Sequence, residues 1–118
     1  MATITNTAIT RTNPNMTAWV VSWPAMGNAD QGSAIEMPEC SEKSVQITGT
    51  FASATVTFKG SNDGTNWTTL TDPQGNAISK TAADLEAVSE HTRYVRPETT
   101  GGVGTSVTVT LFMKGQRF

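Results

Sequence analysis

Apolar and polar residues alternate along two adjacent stretches of the chain. In Val45 to Phe51 the odd positions are apolar or glycine, and the even positions are Gln46, Thr48 and Thr50. After Ala52-Ser53 the phase shifts, and Ala54, Val56 and Phe58 take the even positions. A period of two places every second side chain on one face of a strand, so both runs predict strands with one buried face. Their short connection predicts an antiparallel hairpin. Gly49 within the first run predicts a bulge or a close backbone approach. The cluster from Gly60 to Asn66, with Asp63-Gly64 inside it, predicts a turn leading into a third strand at Trp67 to Leu70. Together these make a three-stranded meander.

The same reading extends outward. Ala18 to Trp23 predicts a largely buried strand closed by Pro24, with Trp19, Val21 and Trp23 on one face. Residues 25–43 read as a long loop with a short strand near Ala34 to Met37. Asp72 to Asn76 is a further turn. Ala82, Leu85 and Val88 recur every three residues behind Thr81 and Asp84, which predicts a single helical turn. His91 to Arg96 reads as a strand ending at Pro97, and Thr99 to Gly104 as a loop. In the final strand, Thr105 to Met113, Val107, Val109, Leu111 and Met113 point one way. Seven or so short strands with frequent turns predict an all-β, antiparallel β-sandwich over residues 18–118. Residues 1–17 are rich in Thr and Asn, carry isolated Ile4, Ile9 and Met16, and read as an extended N-terminal arm.

Composition sharpens this picture. Thr occurs twenty-one times and charged residues make up only 15% of the chain, so hydroxyls and amides must coat its surface. Such a surface is easily desolvated and suits broad contact with proteins. The net charge of −2 and the scattered Lys and Arg argue against direct nucleic-acid binding. No apolar run is long enough to span a bilayer, and the first residues lack the pattern of a secretory signal. The single Cys40 cannot form an internal disulfide, which fits the expectation of folding in a reducing cytoplasm. Without a signal, the glycosylation patterns at Asn15 and Asn66 read as chance.

Candidate chemistry is sparse. Cys40 with His91 is a conceivable nucleophile and base, but no motif surrounds them. Glu36, Glu39 and Glu42 fall in a polar loop and read as solvated carboxylates rather than a catalytic pair. Ser61 to Asn66 offers many oxygen ligands but lacks the spacing and terminal Glu of a calcium loop, so its residues read as turn formers. Gly101 to Gly104 has no Lys and precedes a strand, so it is not a phosphate cradle. The chain is therefore expected to be non-enzymatic and to need no metal or cofactor.

The stretches Gly49 to Ser79 and Arg93 to Gly115 resemble a family of small bacteriophage virion proteins encoded with head genes. The pieces that carry the resemblance are the Gly-x-Phe strand start, the Ser-Asn-Asp-Gly-x-Asn-Trp turn, the Leu-x-Asp-x-x-Gly turn and the Arg-Pro…Thr-Gly-Gly before the last strand. The resemblance implies a jelly-roll-like sandwich that cements or decorates the capsid exterior as a dimer or trimer. It further implies synthesis in the host cytoplasm and binding to the major capsid protein. On that expectation, the contacts with the shell fall to Ile4, Ile9, Arg11 and Met16 of the arm, with Trp19 and Trp23. The alternative is a carbohydrate-binding sandwich of a phage tail or fibre, using Asn62, Asp63, Asn66 and Trp67, because sugar-binding sandwiches use a similar turn.

Overall fold

The structure is a computed structural model that describes residues 2–12, 17–38 and 40–115. Among these residues all regular structure is β, in two sheets packed face to face. The first sheet runs in the order β1 (Thr3–Ile4), β4 (Gln31–Gly32), β11 (Tyr94–Thr100), β7 (Thr55–Ser61) and β8 (Thr68–Thr69). Beside that path, β5 (Ile35–Glu36) pairs with β11, and β9 (Ser79–Lys80) pairs with β7. The second sheet runs β10 (Asp84–Ala87), β6 (Glu42–Thr50), β12 (Ser106–Lys114), β3 (Ala18–Met26) and β2 (Thr10–Arg11). All pairings are antiparallel except β1 with β4, which is parallel.

Alternation gives the strands their inner faces. Val45 and Ile47 of β6, Val107, Val109, Leu111 and Met113 of β12, and Val56 and Phe58 of β7 are all buried. Trp23 is fully buried and meets Phe58 of the opposite sheet edge to face, with ring centroids 6.3 Å apart. Its indole N–H donates to the Ser33 carbonyl at 2.9 Å, so the one polar group of the ring is satisfied.

The predicted hairpin between Val45–Phe51 and Ala54–Lys59 is not formed. β6 and β7 lie in opposite sheets, and their connection crosses the sandwich. Ala52 and Ser53 turn the chain with φ of 48° and 71°, and the Ala54 N–H closes the turn on the Phe51 carbonyl. Alternation specifies which side chains face inward. It does not specify whether the next strand lies beside the first or across from it, and both satisfy the pattern. Of the predicted meander, only the β7–β8 pairing exists; β6 finds its partners in β12 and β10. Gly49 does mark a close approach: its φ is 115°, and a Cβ there would sit 2.4 Å from the Ser106 carbonyl oxygen.

Three further expectations are corrected. The helical turn at Thr81 to Val88 is instead the edge strand β10, in register with β6 from Asp84↔Ile47 to Ala87↔Ser44. Of the supposed apolar stripe only Val88 is buried, while Leu85 is 60% exposed. One isolated turn gains too few hydrogen bonds to outcompete pairing with a ready strand edge. Pro24 does not close its strand, because β3 continues to Met26. The register steps from Trp23↔Val109 to Met26↔Val107, so Pro24 sits in a bulge, where no ladder N–H is required. Pro97 likewise lies within β11, opposite Phe58. Phe58 directs its N–H to Ile78 and its carbonyl to Leu70, away from β11. The pair is therefore a non-hydrogen-bonded one, and the missing donor of Pro97 points to the break between β4 and β5.

Residues 2–12 lie against the sandwich rather than away from it. Ala2 and Ile4 accept from Gln31 and Ser33 at the edge of the first sheet, and Thr7 and Thr12 donate to Ser22 and Ala18 at the edge of the second. The segment thus crosses from one sheet to the other and covers an open edge of each.

Gly32 is the tightest point of this region. A Cβ at that position would lie 2.6 Å from Pro97 Cδ and 2.7 Å from Trp23 Cδ1. Gly32→Ala is predicted to destabilise the fold by about 1–3 kcal/mol through overpacking, read as a lower urea midpoint at unchanged slope. An unchanged midpoint would contradict the packing described.

Candidate functional site

The turn from Ser61 to Trp67 is built around one carboxylate. Asp63 Oδ1 accepts from the N–H groups of Thr65 and Asn66, each at 2.8 Å, and from the Ser61 hydroxyl at 2.9 Å. Asp63 Oδ2 accepts from the Asn66 side-chain amide at 2.8 Å. The Asn66 and Thr65 backbone donors, then the Asn66 and Ser61 side chains, hold the Asp63 carboxyl well below the usual carboxylate range. Asn62 is also engaged, accepting from the Arg93 N–H at 3.0 Å. These oxygens satisfy the loop's own backbone, as expected for turn formers, and no group of three or more metal-ligating acids, His or Cys exists among the described residues.

Beside the turn lies an open depression of about 370 Å³, lined by Asn62, Asp63, Asn66, Thr68 and Glu90 among others. Glu90 is held by Thr71, whose N–H and hydroxyl both donate to it. Trp67 does not line this depression. Its ring lies under Arg96, whose guanidinium carbon is 4.1 Å from the ring centroid. Arg96 in turn pairs with Glu98 at 3.0 Å, and Glu98 with Lys59 at 3.2 Å. Trp67 thus stacks with Arg96, while Asn62, Asp63 and Asn66 line the depression. This places the aromatic in a charged ladder on the outer face of the first sheet.

The other chemical candidates are dispersed. Cys40 is wholly buried in the apolar core. His91 bonds the Pro38 carbonyl through Nε2 at 2.6 Å. Glu36 pairs with Arg93 and Glu42 with Lys114, all largely exposed. Glu39 lies outside the described residues.

The residues expected to meet a partner are also spread apart. Ile4 is half-buried against the core, Ile9 is 39% exposed, and Arg11 lies over the Trp19 ring at 5.3 Å. Trp19 is half-buried and packs partly on the core. Trp23 has no exposed surface and is corrected from a contact residue to the centre of the core, because its face of β3 opposes Phe58. Met16 lies outside the described residues.

A surface that these expectations missed is the outer face of the second sheet. In register across it stand Ala87, Ser44, Phe112, Val20 and Thr10. Phe112 is 40% exposed and Leu85, on the same face, 60%. Around them the outward residues are Ser22, Gln46, Thr48, Thr108 and Thr110; the Ser22 and Thr110 hydroxyls bond at 3.2 Å. Charge on this face is confined to one corner, the Glu42–Lys114 pair at 3.8 Å. The two outer faces therefore differ in kind: one carries a charged ladder, the other a hydroxyl-rich field with apolar side chains in it. The signal for Phe112 was present in the sequence. It is an aromatic on the polar phase of a strand whose other phase is entirely core.

No family model matches the chain, and no curated protein does. Among solved structures it is similar to the SPBc2 prophage-derived protein YomS, with a TM-score of 0.63 at 16% identity over 81% of this chain and 93% of that one. It is more loosely similar to the periplasmic g-type lysozyme inhibitor PliG of Aeromonas hydrophila (TM-score 0.47, 10% identity, 98% and 96% covered). The same holds for KdgF from Halomonas sp. (TM-score 0.43, 11% identity, 95% and 78% covered). At these identities the likeness is one of fold.

The Asp63 turn has a pH consequence. A carboxylate whose folded pKa is depressed stabilises the fold above its unfolded pKa, and loses that contribution as pH falls through the folded value. Wild type is therefore predicted to exceed Asp63→Asn in thermal stability at neutral pH, with the gap closing progressively below about pH 4. A gap that stays constant down to strongly acidic pH would contradict this role.

Proposed function

We propose that this chain is a structural, non-enzymatic virion protein that binds the outer surface of a phage capsid and stabilises the assembled shell. The observation that carries the reading is the outer face of the second sheet. Its central residues are uncharged, so little desolvation of ions opposes contact, and Phe112, Leu85 and Val20 supply apolar area to bury. The likeness of fold to a prophage-derived protein supports the same setting, as does the resemblance to head-encoded virion proteins. The partner is the major capsid protein. A ligand that binds only the assembled lattice stabilises it by mass action, and repeated sites multiply the effect.

The segment at residues 2–12 takes a different part from a free docking arm. It covers strand edges of its own chain. Removing residues 2–12 is predicted to lower the melting temperature of the isolated protein by several degrees, since a loss of about 1–2 kcal/mol shifts a domain of this size by that much. An unchanged melting temperature would show that the segment contributes nothing to the fold.

The direct test adds purified protein to heads that lack it. Saturation at hundreds of copies and a raised temperature of shell disruption are expected. Thr110→Asp, which places a charge in the middle of the uncharged face, is expected to weaken binding at least tenfold while the isolated protein keeps its fold. Saturation at a few dozen copies, or no binding, would overturn the reading. Glycan binding abolished by Trp67→Ala would favour the tail or fibre alternative instead.

A further inference from the structure

Asp63-Gly64 is the one place in the chain where an Asp or Asn precedes a glycine. That pairing carries a chemical liability. With no side chain beside it, the Gly64 nitrogen meets the least steric opposition to reaching the Asp63 carboxyl carbon. The nitrogen bonds to Cγ, its proton leaves with one carboxyl oxygen as water, and a cyclic succinimide closes. Water then reopens the ring. Where it adds at the main-chain carbonyl, the original peptide bond breaks and the chain runs on through Cγ, as isoaspartate. Composition is unchanged, but the backbone gains a methylene and the side-chain carboxylate is lost.

The folded turn opposes each part of this reaction. Ser61, buried at the end of β7, holds both reacting groups through one hydroxyl. It accepts from the Gly64 N–H at 2.8 Å and donates to Asp63 Oδ1 at 2.9 Å. The Thr65 and Asn66 N–H groups hold Oδ1 as well, and the Asn66 side chain holds Oδ2. Ring closure needs the carboxyl group to rotate onto the nitrogen that follows it, and that rotation breaks these bonds. It also needs an oxygen that leaves as water, and so a protonated carboxyl, whereas the same donors keep this one ionised. The turn as a whole is tied to β11. The Asn62 side chain accepts from the Arg93 N–H at 3.0 Å, and Ser61 stands in register with Tyr94.

We infer that Asp63-Gly64 is this chain's site of spontaneous isomerisation, and that Ser61 locks it for as long as the turn stays folded. Reaction then runs only through the fraction of molecules in which the turn has opened. Refolding does not undo it, because the carboxylate that organised the turn is gone from the side chain. The inference holds whatever the chain binds.

Prolonged incubation at neutral pH tests it, with one sample below the melting transition and another in guanidinium chloride. Cleavage after Lys59 and Lys80 releases residues 60–80, and the isoaspartyl form of that peptide separates by chromatography at unchanged mass. Its other aspartate, Asp72, precedes Pro73, which has no N–H with which to close a ring, so the new form reports Asp63. Deamidation of its asparagines changes the mass and is counted apart. Folded wild type should isomerise at least about tenfold more slowly than the denatured chain. Ser61→Ala should raise the folded-state rate roughly fivefold, as expected from losing a hydrogen-bonded lock. Should Ser61→Ala unfold, Asn66→Ala, which frees Oδ2 from an exposed position, replaces it. Gly32→Ala, which strains the core without touching the turn, should react at the wild-type rate when folded. Folded wild type that reacts as fast as the denatured chain, a lock variant that reacts at the wild-type rate, or an equal acceleration in Gly32→Ala would each overturn the inference.

Discussion

The contact on which the rest of the structure depends is Trp23 against Phe58. It joins the two sheets at their inner faces, and its demands radiate outward. An indole with no exposed surface needs a partner for its N–H, which the Ser33 carbonyl supplies. It also needs a neighbour without a Cβ, which Gly32 provides, and a flat lid beyond that, which the Pro97 ring forms. The break between β4 and β5 makes both the carbonyl and the proline tolerable. It leaves Ser33 outside the ladder and removes the call for a donor at Pro97. Oddities that look separate along the chain are thus one packing solution.

That solution explains what the sequence could and could not disclose. The inner faces of β6, β7 and β12 were legible because burial imposes a period of two on each strand locally. Partner choice was not, since β6 pairs with a strand some sixty residues later and alternation carries no address. Prolines mislead for a related reason. Whether a missing N–H matters depends on the neighbour it would have faced, and Pro24 faces a bulge while Pro97 faces a gap. Asp63-Gly64 was readable as a turn because its hydrogen bonds close within five residues.

The site was less legible than the fold. Of the three tryptophans, one is the core, one lies half-buried beneath Arg11 and one stacks on an ion-pair ladder. Aromatic character alone does not distinguish these fates. The informative residues were those on the wrong phase of a strand, Phe112 above all, together with the absence of charge around it. A surface rich in Thr and Ser is easily dismissed as inert. Its lack of tightly hydrated ions is what makes it suited to a broad contact.

The central claim is that the two outer faces divide their labour, with the uncharged one docking and the charged one meeting water. A density map of decorated heads, fine enough to place the strands, tests it most directly. The account predicts β6 and β12 against the shell, with the sheet that carries the Lys59, Glu98 and Arg96 ladder on the side away from it. Strands β7 and β11 against the shell, or no density for this chain on the head at all, would contradict it.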